Sequence, residues 1–398
     1  MSVLHPGIRL FYLLLFSGWA LISHSQDPAK LHKRAILVDT HNDCLTDLVL
    51  AGHDITSRLQ TGHSDLYRWR KGGVDVQFFS VWTGEKSRRP EGFFADALEE
   101  IDSLHHIILR NPDRMSFAGS CTDVKKSVHR NKLVALIGVE GGHMIEEDFS
   151  KLDSLYARGM RYLTLTWNNS TSWASSAMDE TQRPGIRKGL SDFGKKVVER
   201  LNELGVMVDL SHAGEQTFYD VMAVTKKPVI LSHSSVWSLC PVFRNVKDEQ
   251  IKSVAANGGV ICTNFYSGFI SRTYDELQTK LLADKFLLSR QAAGLSAADS
   301  ARLMENWQKN YDSVMQAARP TLAELADHID YIVKLVGDKY VGIGSDYDGV
   351  SSVPVGLEDV TTYPKITEEL IKRGYSRRSI RRILGGNVLR VMRENMNE

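Results

Sequence analysis

The sequence predicts an α/β fold, and within that class a (β/α)8 TIM barrel, on three observations. There are eight short apolar runs, helical periodicity between them, and polar residues of metal-binding and acid/base type just past the ends of the runs. In chain order the runs are 35–43 (AILVDTHND), 74–82 (VDVQFFSVW), 133–141 (LVALIGVEG), 162–168 (YLTLTWN), 207–212 (MVDLSH), 229–234 (VILSHS), 260–266 (VICTNFY) and 340–346 (YVGIGSD). Most are too uniformly apolar for a sheet with one wet face, and they fit parallel strands covered by helices. Helical periodicity fills 92–111, 149–159, 191–205, 216–224 and 248–257. Several of these segments stop at glycine, as in LNELG before the fifth run. Alternation alone does not establish closure, so an open doubly wound sheet stands as the alternative. From about 271 to 320, between the seventh and eighth runs, a long polar stretch keeps helical periodicity without a strand signal, which predicts a helical insertion. Such an excursion is equally suited to a lid over the active site and to a packed decoration or oligomer contact.

The ends and the composition bound the rest. After Arg9 comes the apolar stretch 10–22 (LFYLLLFSGWALI), then Ser23, His24 and Ser25 before polar Gln26 and Asp27. The pattern reads as a secretory signal over 1–25 with small residues at the −3 and −1 positions; a retained anchor is the weaker reading, because the stretch is shorter than a bilayer span. Residues 26–398 then form one barrel domain of an exported protein, periplasmic or secreted, with no stable membrane anchor. Lys+Arg number 49 against 48 Asp+Glu, a net charge of +1 that leaves no basic footprint for nucleic acid. A 42% hydrophobic share is enough for a large core and excludes disorder over most of the chain. Cys44, Cys121, Cys240 and Cys262 match no zinc-ribbon spacing and read as buried free thiols. The sequence admits a homodimer without specifying one.

The chemistry lies at the ends of the runs. The first ends in His41-Asn42-Asp43, the third in Glu140, the fifth in His212, the sixth in His233 and the eighth in Asp346. In a barrel these ends share one mouth, where catalytic groups collect. His41 and Asp43, two apart on an extended strand, point to one side and can reach one ion. Three histidines with two or three carboxylates exceed what one catalytic zinc needs, so the set points to two metals sharing a carboxylate. Glu140, alone in Gly-Val-Glu-Gly-Gly, is the candidate bridge. Asp346 and Asp348 stay equivalent as acid/base candidates on this pattern, because residues two apart on a strand share a face. His53, His63, His105, His106, His129 and His328 read as structural side chains, and so does His143 beyond Glu140.

VDTHND, GVEGG, RYLTLTWN, DLSH, the stretch from LSHSS to RNV, and GIGSDYDG with GLEDV after it together resemble the membrane dipeptidase (renal dipeptidase) family of zinc metallopeptidases. The resemblance runs from about residue 35 to the C-terminal GGNVLRV. It implies a barrel of the metal-dependent hydrolase type with two Zn2+ per chain. His41, Asp43 and Glu140 would hold one ion, and Glu140, His212 and His233 the other. It selects Asp346 as the catalytic acid/base residue and leaves Asp348 a structural role. Arg244, before Asn245-Val246, becomes the clamp on the substrate's terminal carboxylate, a task suited to a bidentate guanidinium. There are departures: Trp167 stands where mammalian members have a substrate-contacting histidine, and Phe269 where they have a tyrosine. The lost histidine removes a donor to a developing oxyanion, which a metal or another group must then supply. Cys240 aligns with a cysteine of the vertebrate disulfide, but Arg272 occupies the partner position. The insertion and the missing anchor signal place the chain nearer exported, bacterial-type members.

The expected activity is hydrolysis of dipeptides by a hydroxide bridging two zinc ions, which lower the pKa of water towards neutrality. A related binuclear hydrolase acting on other amides, lactones or β-lactams is the alternative. A barrel that binds metal only for stability is a third reading, opposed by the complete set of ligands and the acid/base residue.

Overall fold

The computed structural model describes residues 27–396, so the signal peptide expected over 1–25 lies outside the described residues. Among the described residues there are nine strands: β1 Val38–Asp39, β2 Val76–Trp82, β3 Met115–Phe117, β4 Leu133–Glu140, β5 Met160–Thr164, β6 Met207–Asp209, β7 Ile230–Leu231, β8 Val260–Thr263 and β9 Val341–Ile343. All pairings are parallel, and eight strands close in the order β1-β2-β4-β5-β6-β7-β8-β9, with β9 returning to β1. This is a (β/α)8 barrel, and the open sheet is excluded. The sequence pattern did not show β3, which pairs with β4 at Met115–Leu133, below the point where β5 takes over.

Residue parity along β4 explains its uniform apolarity. Val134 and Leu136 join the cluster that includes Val38, Phe78, Tyr162, Met207 and Ile230 from other strands, while Ala135, Ile137 and Val139 pack with helix residues such as Ile101 and Leu152. Both faces are therefore buried, and Glu140 continues the parity of Leu136 into the barrel mouth. Gly138 lies on that face too, and the Tyr162 ring crosses it so closely that any Cβ would overlap the ring.

The five expected helices occur within one or two residues of their sequence bounds, as Phe93–Arg110, Phe149–Ala157, Asp192–Leu204, Glu215–Val224 and Asp248–Asn257. Ser191 starts the third by accepting from the Gly194 N–H, and Gly205 ends it at φ 72°. The insertion is two long helices, Arg272–Ala292 and Ala297–Ala317, started by Ser271 and Ser296. A final helix, Asn387–Met396, brings Val388, Val391 and Met392 onto the interior cluster. No helix among the described residues is long and apolar enough to cross a membrane. All four cysteines are buried; Cys44, Cys240 and Cys262 are free thiols, and the Cys121 thiol donates to the Leu389 carbonyl at 3.5 Å.

Most strands are shorter than the apolar runs, for a physical reason. One residue past Asp39 and Asp209 the backbone leaves the ladder, and N–H groups there and on neighbouring segments donate to these two side chains. Asp39 Oδ1 accepts from the Ser345 N–H at 2.9 Å, and Asp209 Oδ1 from Ser211 and Ser232 at 3.0 and 2.9 Å. Two buried carboxylates thus take the place of ladder carbonyls, and the freed segments turn their side chains into the mouth.

Candidate metal centre and substrate cavity

Glu140 is the hub of the mouth. Its Oε2 lies 3.3 Å from His41 Nε2, while its Oε1 lies 2.9 Å from His212 Nε2 and 3.2 Å from His233 Nε2. Asp43 Oδ2 stands 3.4 Å from His41 Nε2, and Asp346 Oδ1 3.9 Å from the same atom. The structure therefore brings together all six residues that the sequence placed at strand ends, in two groups on either side of one carboxylate. The same donors, in the subsets His41, Glu140, His233 and His41, Asp43, Asp346, lie close enough together to surround one ion.

The outer nitrogen of each imidazole is occupied. His41 Nδ1 lies 2.8 Å from the Tyr162 hydroxyl, which itself donates to the Thr40 carbonyl and so accepts from the histidine. His212 Nδ1 faces the Asn168 side-chain oxygen at 3.0 Å, and His233 Nδ1 the Ser232 hydroxyl at 2.7 Å. These partners fix a proton on each Nδ1 and turn three bare Nε2 atoms inward, the form in which imidazole binds a metal. His41 Nε2 is buried without a hydrogen-bond partner. Oxygen and nitrogen donors crowded in a buried pocket fit divalent cations.

Asp346 and Asp348 diverge because both residues adopt left-handed backbone, φ 63° and 67°, and so are not on a strand. Asp346 turns into the mouth, where Asn264 donates to its Oδ2 at 2.7 Å. Burial first, then the Asp43 and Glu140 carboxylates, push its carboxyl up to about 7, against the opposing effect of His41. Asp348 turns away, accepting from the His63 N–H while its own N–H donates to His63 Nδ1. Arg244 is buried, with Nη2 donating to the His233 carbonyl at 3.1 Å and Nε left without a partner. Its guanidinium sits 5.5 Å above the Phe269 ring.

Asp43, Glu140, His212, Arg244, Phe269 and Asp346 line a cavity of about 410 Å³ together with Trp82, Trp167, Phe243 and Tyr266. Trp167 packs edge-on against Trp82 at 5.0 Å and forms a wall beside His212. Sequence reasoning missed Asn168, Tyr162, Ser232, Asn264 and Tyr266, although Tyr162 and Asn168 lie within RYLTLTWN, Ser232 within LSHSS, and Asn264 and Tyr266 within the seventh run. His143 stays off the cavity, held by the Thr83 carbonyl and the edge of Phe93.

A family model described as membrane dipeptidase, peptidase family M19, matches residues 26–398. The chain is 34% identical over 381 residues to an uncharacterized dipeptidase of Schizosaccharomyces pombe, covering 91% of this chain and 81% of that protein. Among solved structures, a probable dipeptidase of Pseudomonas aeruginosa superposes with a TM-score of 0.77 at 27% identity, over 93% of this chain and 98% of the other. A metallo peptidase of Rhodobacter sphaeroides, solved with a phosphinate mimic of L-Ala-D-Ala, shares the fold at a TM-score of 0.73 and 22% identity, over 91% of this chain and 99% of the other.

Proposed function

The chain belongs to the membrane dipeptidase family of metallopeptidases, and from that premise we propose that it is an exported dipeptidase working with two zinc ions, one held by His41, Asp43 and Glu140 and the other by Glu140, His212 and His233. The observation that carries this reading is the division of Glu140, one oxygen towards His41 and the other towards the histidine pair. When bound, the two cations supply a water acidified towards neutrality and a Lewis-acid pull on the scissile carbonyl.

The residues of the chain do the rest. Arg244, with an unpartnered Nε, takes the terminal carboxylate of the substrate, which fixes the peptide bond over Glu140 and limits substrates to dipeptides. Phe269 stacks under that guanidinium, and Trp167 closes the opposite wall, excluding water from the reacting carbonyl. Asn264 holds Asp346 Oδ2, leaving Oδ1 to take a proton from the attacking water and return it to the departing amine nitrogen. A new C–O bond forms as the C–N bond breaks, and the proton count closes through Asp346. Export follows from the leader over 1–25, which directs the mature chain to the periplasm or the medium.

The test is metal content together with hydrolysis of L-Xaa-L-Xaa and L-Xaa-D-Xaa dipeptides on the chain from Gln26, beside His212→Ala and Arg244→Ala. Near two equivalents of zinc are expected in the wild type. His212→Ala should lose turnover, and Arg244→Ala should lose kcat/KM on dipeptides by at least about 100-fold, the cost of a charge-assisted pair, while an uncharged ester changes little. Metal-free protein with activity unchanged in His212→Ala sinks the assignment.

A further inference from the structure

Asp209 closes β6, wholly buried, three residues before His212. Every group that reaches its carboxylate is a donor. Oδ1 accepts from the N–H groups of Ser211 and Ser232, and Oδ2 from the hydroxyls of Thr164 and Ser232, the last at 2.6 Å. A serine hydroxyl has one hydrogen, and here Asp209 receives it. Ser232 Oγ is left with lone pairs only, and it lies 2.7 Å from His233 Nδ1. The proton of His233 is thereby held on Nδ1.

We infer that Asp209 is a positioning residue that acts on His233 through Ser232, fixing the tautomer and aim of that imidazole and raising the basicity of its Nε2. The other two histidines lack such a relay. His41 leans on a phenol that gives its own hydrogen to a backbone carbonyl, and His212 on a neutral amide oxygen. Of the two cations in the proposed site, on which this inference rests, only the one held by Glu140, His212 and His233 therefore depends on a buried carboxylate outside the donor set. The competing account makes Asp209 a fastener of β5 and β7, through Thr164 and the Ser232 N–H.

Two substitutions separate these accounts. Ser232→Ala cuts the relay and keeps both backbone donors on Asp209, whereas Thr164→Val removes a fastening bond and leaves the relay whole. Each full mature protein is loaded with zinc, the metal is withdrawn stepwise by a chelator of known affinity, and thermal unfolding of the metal-free form is recorded. Ser232→Ala should release one of its two zinc equivalents at roughly 10- to 100-fold weaker affinity and keep the other. Thr164→Val should keep both affinities, with the two variants alike in metal-free Tm. Unchanged affinities in Ser232→Ala, or equal weakening in Thr164→Val, overturn the relay. A wild-type chain that takes up no pair of zinc ions overturns the site reading itself and the relay with it.

Discussion

His212 and Asp346 face the cavity from left-handed backbone, φ 64° and 63°, a conformation that costs a non-glycine residue about 1–3 kcal/mol unless its surroundings fix it. Here they do: the His212 carbonyl accepts from the Ala177 N–H at 2.8 Å, and the Asp346 N–H donates to the His41 carbonyl. A second histidine works by staying neutral. His328 is buried with Nδ1 accepting from the Val236 N–H and Nε2 donating to the Ile270 carbonyl, so it ties the segment leading to Arg244 to the residue after Phe269. Burial lowers its pKa to about 4. The unfolded chain, with a histidine near 6.5, takes up a proton between pH 6.5 and 4 that the folded state refuses. The contribution is complete above pH 6.5 and drains as the pH falls, by about 2 kcal/mol at pH 5. Urea unfolding of the wild type and His328→Gln should therefore converge by that amount between pH 7 and pH 5. Parallel pH profiles would remove His328 as the cause.

At the scale of elements, the two insertion helices reach the cavity through one side chain. Tyr266, a lining residue, donates its hydroxyl to Gln278 Oε1 at 2.8 Å on the first helix. Gln278 Nε2 in turn meets the Tyr311 hydroxyl at 3.0 Å on the second, where Tyr311 stacks on Trp307 and Lys285 covers the Trp307 ring. The insertion thus braces the wall that carries Tyr266 and Phe269, whose rings meet at 4.8 Å. Gln278→Leu removes both hydrogen bonds at nearly constant volume. The bond to Tyr266 is the one that bears on the cavity and is worth about 1 kcal/mol, so kcat/KM on a dipeptide should fall about fivefold, while the two lost bonds together should lower Tm by no more than about 4 °C. Unchanged kinetics would reduce the insertion to a decoration. Helical period disclosed where this insertion lies and how long it is, but a single glutamine facing a tyrosine 12 residues earlier leaves no periodic trace.

For the whole molecule, the barrel was readable because burial on both faces makes a parallel strand apolar throughout, as in β4, and because each covering helix repeats at its own period. β3 was not readable: MSF is too short to stand out between two helices. The donors were readable as polar residues breaking apolar runs, while Tyr162, Ser232 and Asn168 look like ordinary strand and loop residues until the chain closes and sets them behind the imidazoles. Closure also concentrates three imidazoles and the carboxylates of Asp43, Glu140 and Asp346 in one mouth, a cluster the unfolded chain cannot assemble. A cation taken up there is held by the folded state alone and stabilises it by about 2.7 kcal/mol when free metal is 100 times its Kd. Chelation at pH 7 should therefore lower Tm by several degrees, at roughly 2–4 °C per kcal/mol or somewhat less for a chain of this length, and zinc should restore it. His212→Ala, with half the site impaired, should show a clearly smaller drop on chelation. A Tm indifferent to chelator in the wild type would mean that the mouth of this barrel folds without needing a cation, and that its donors are balanced by protons alone.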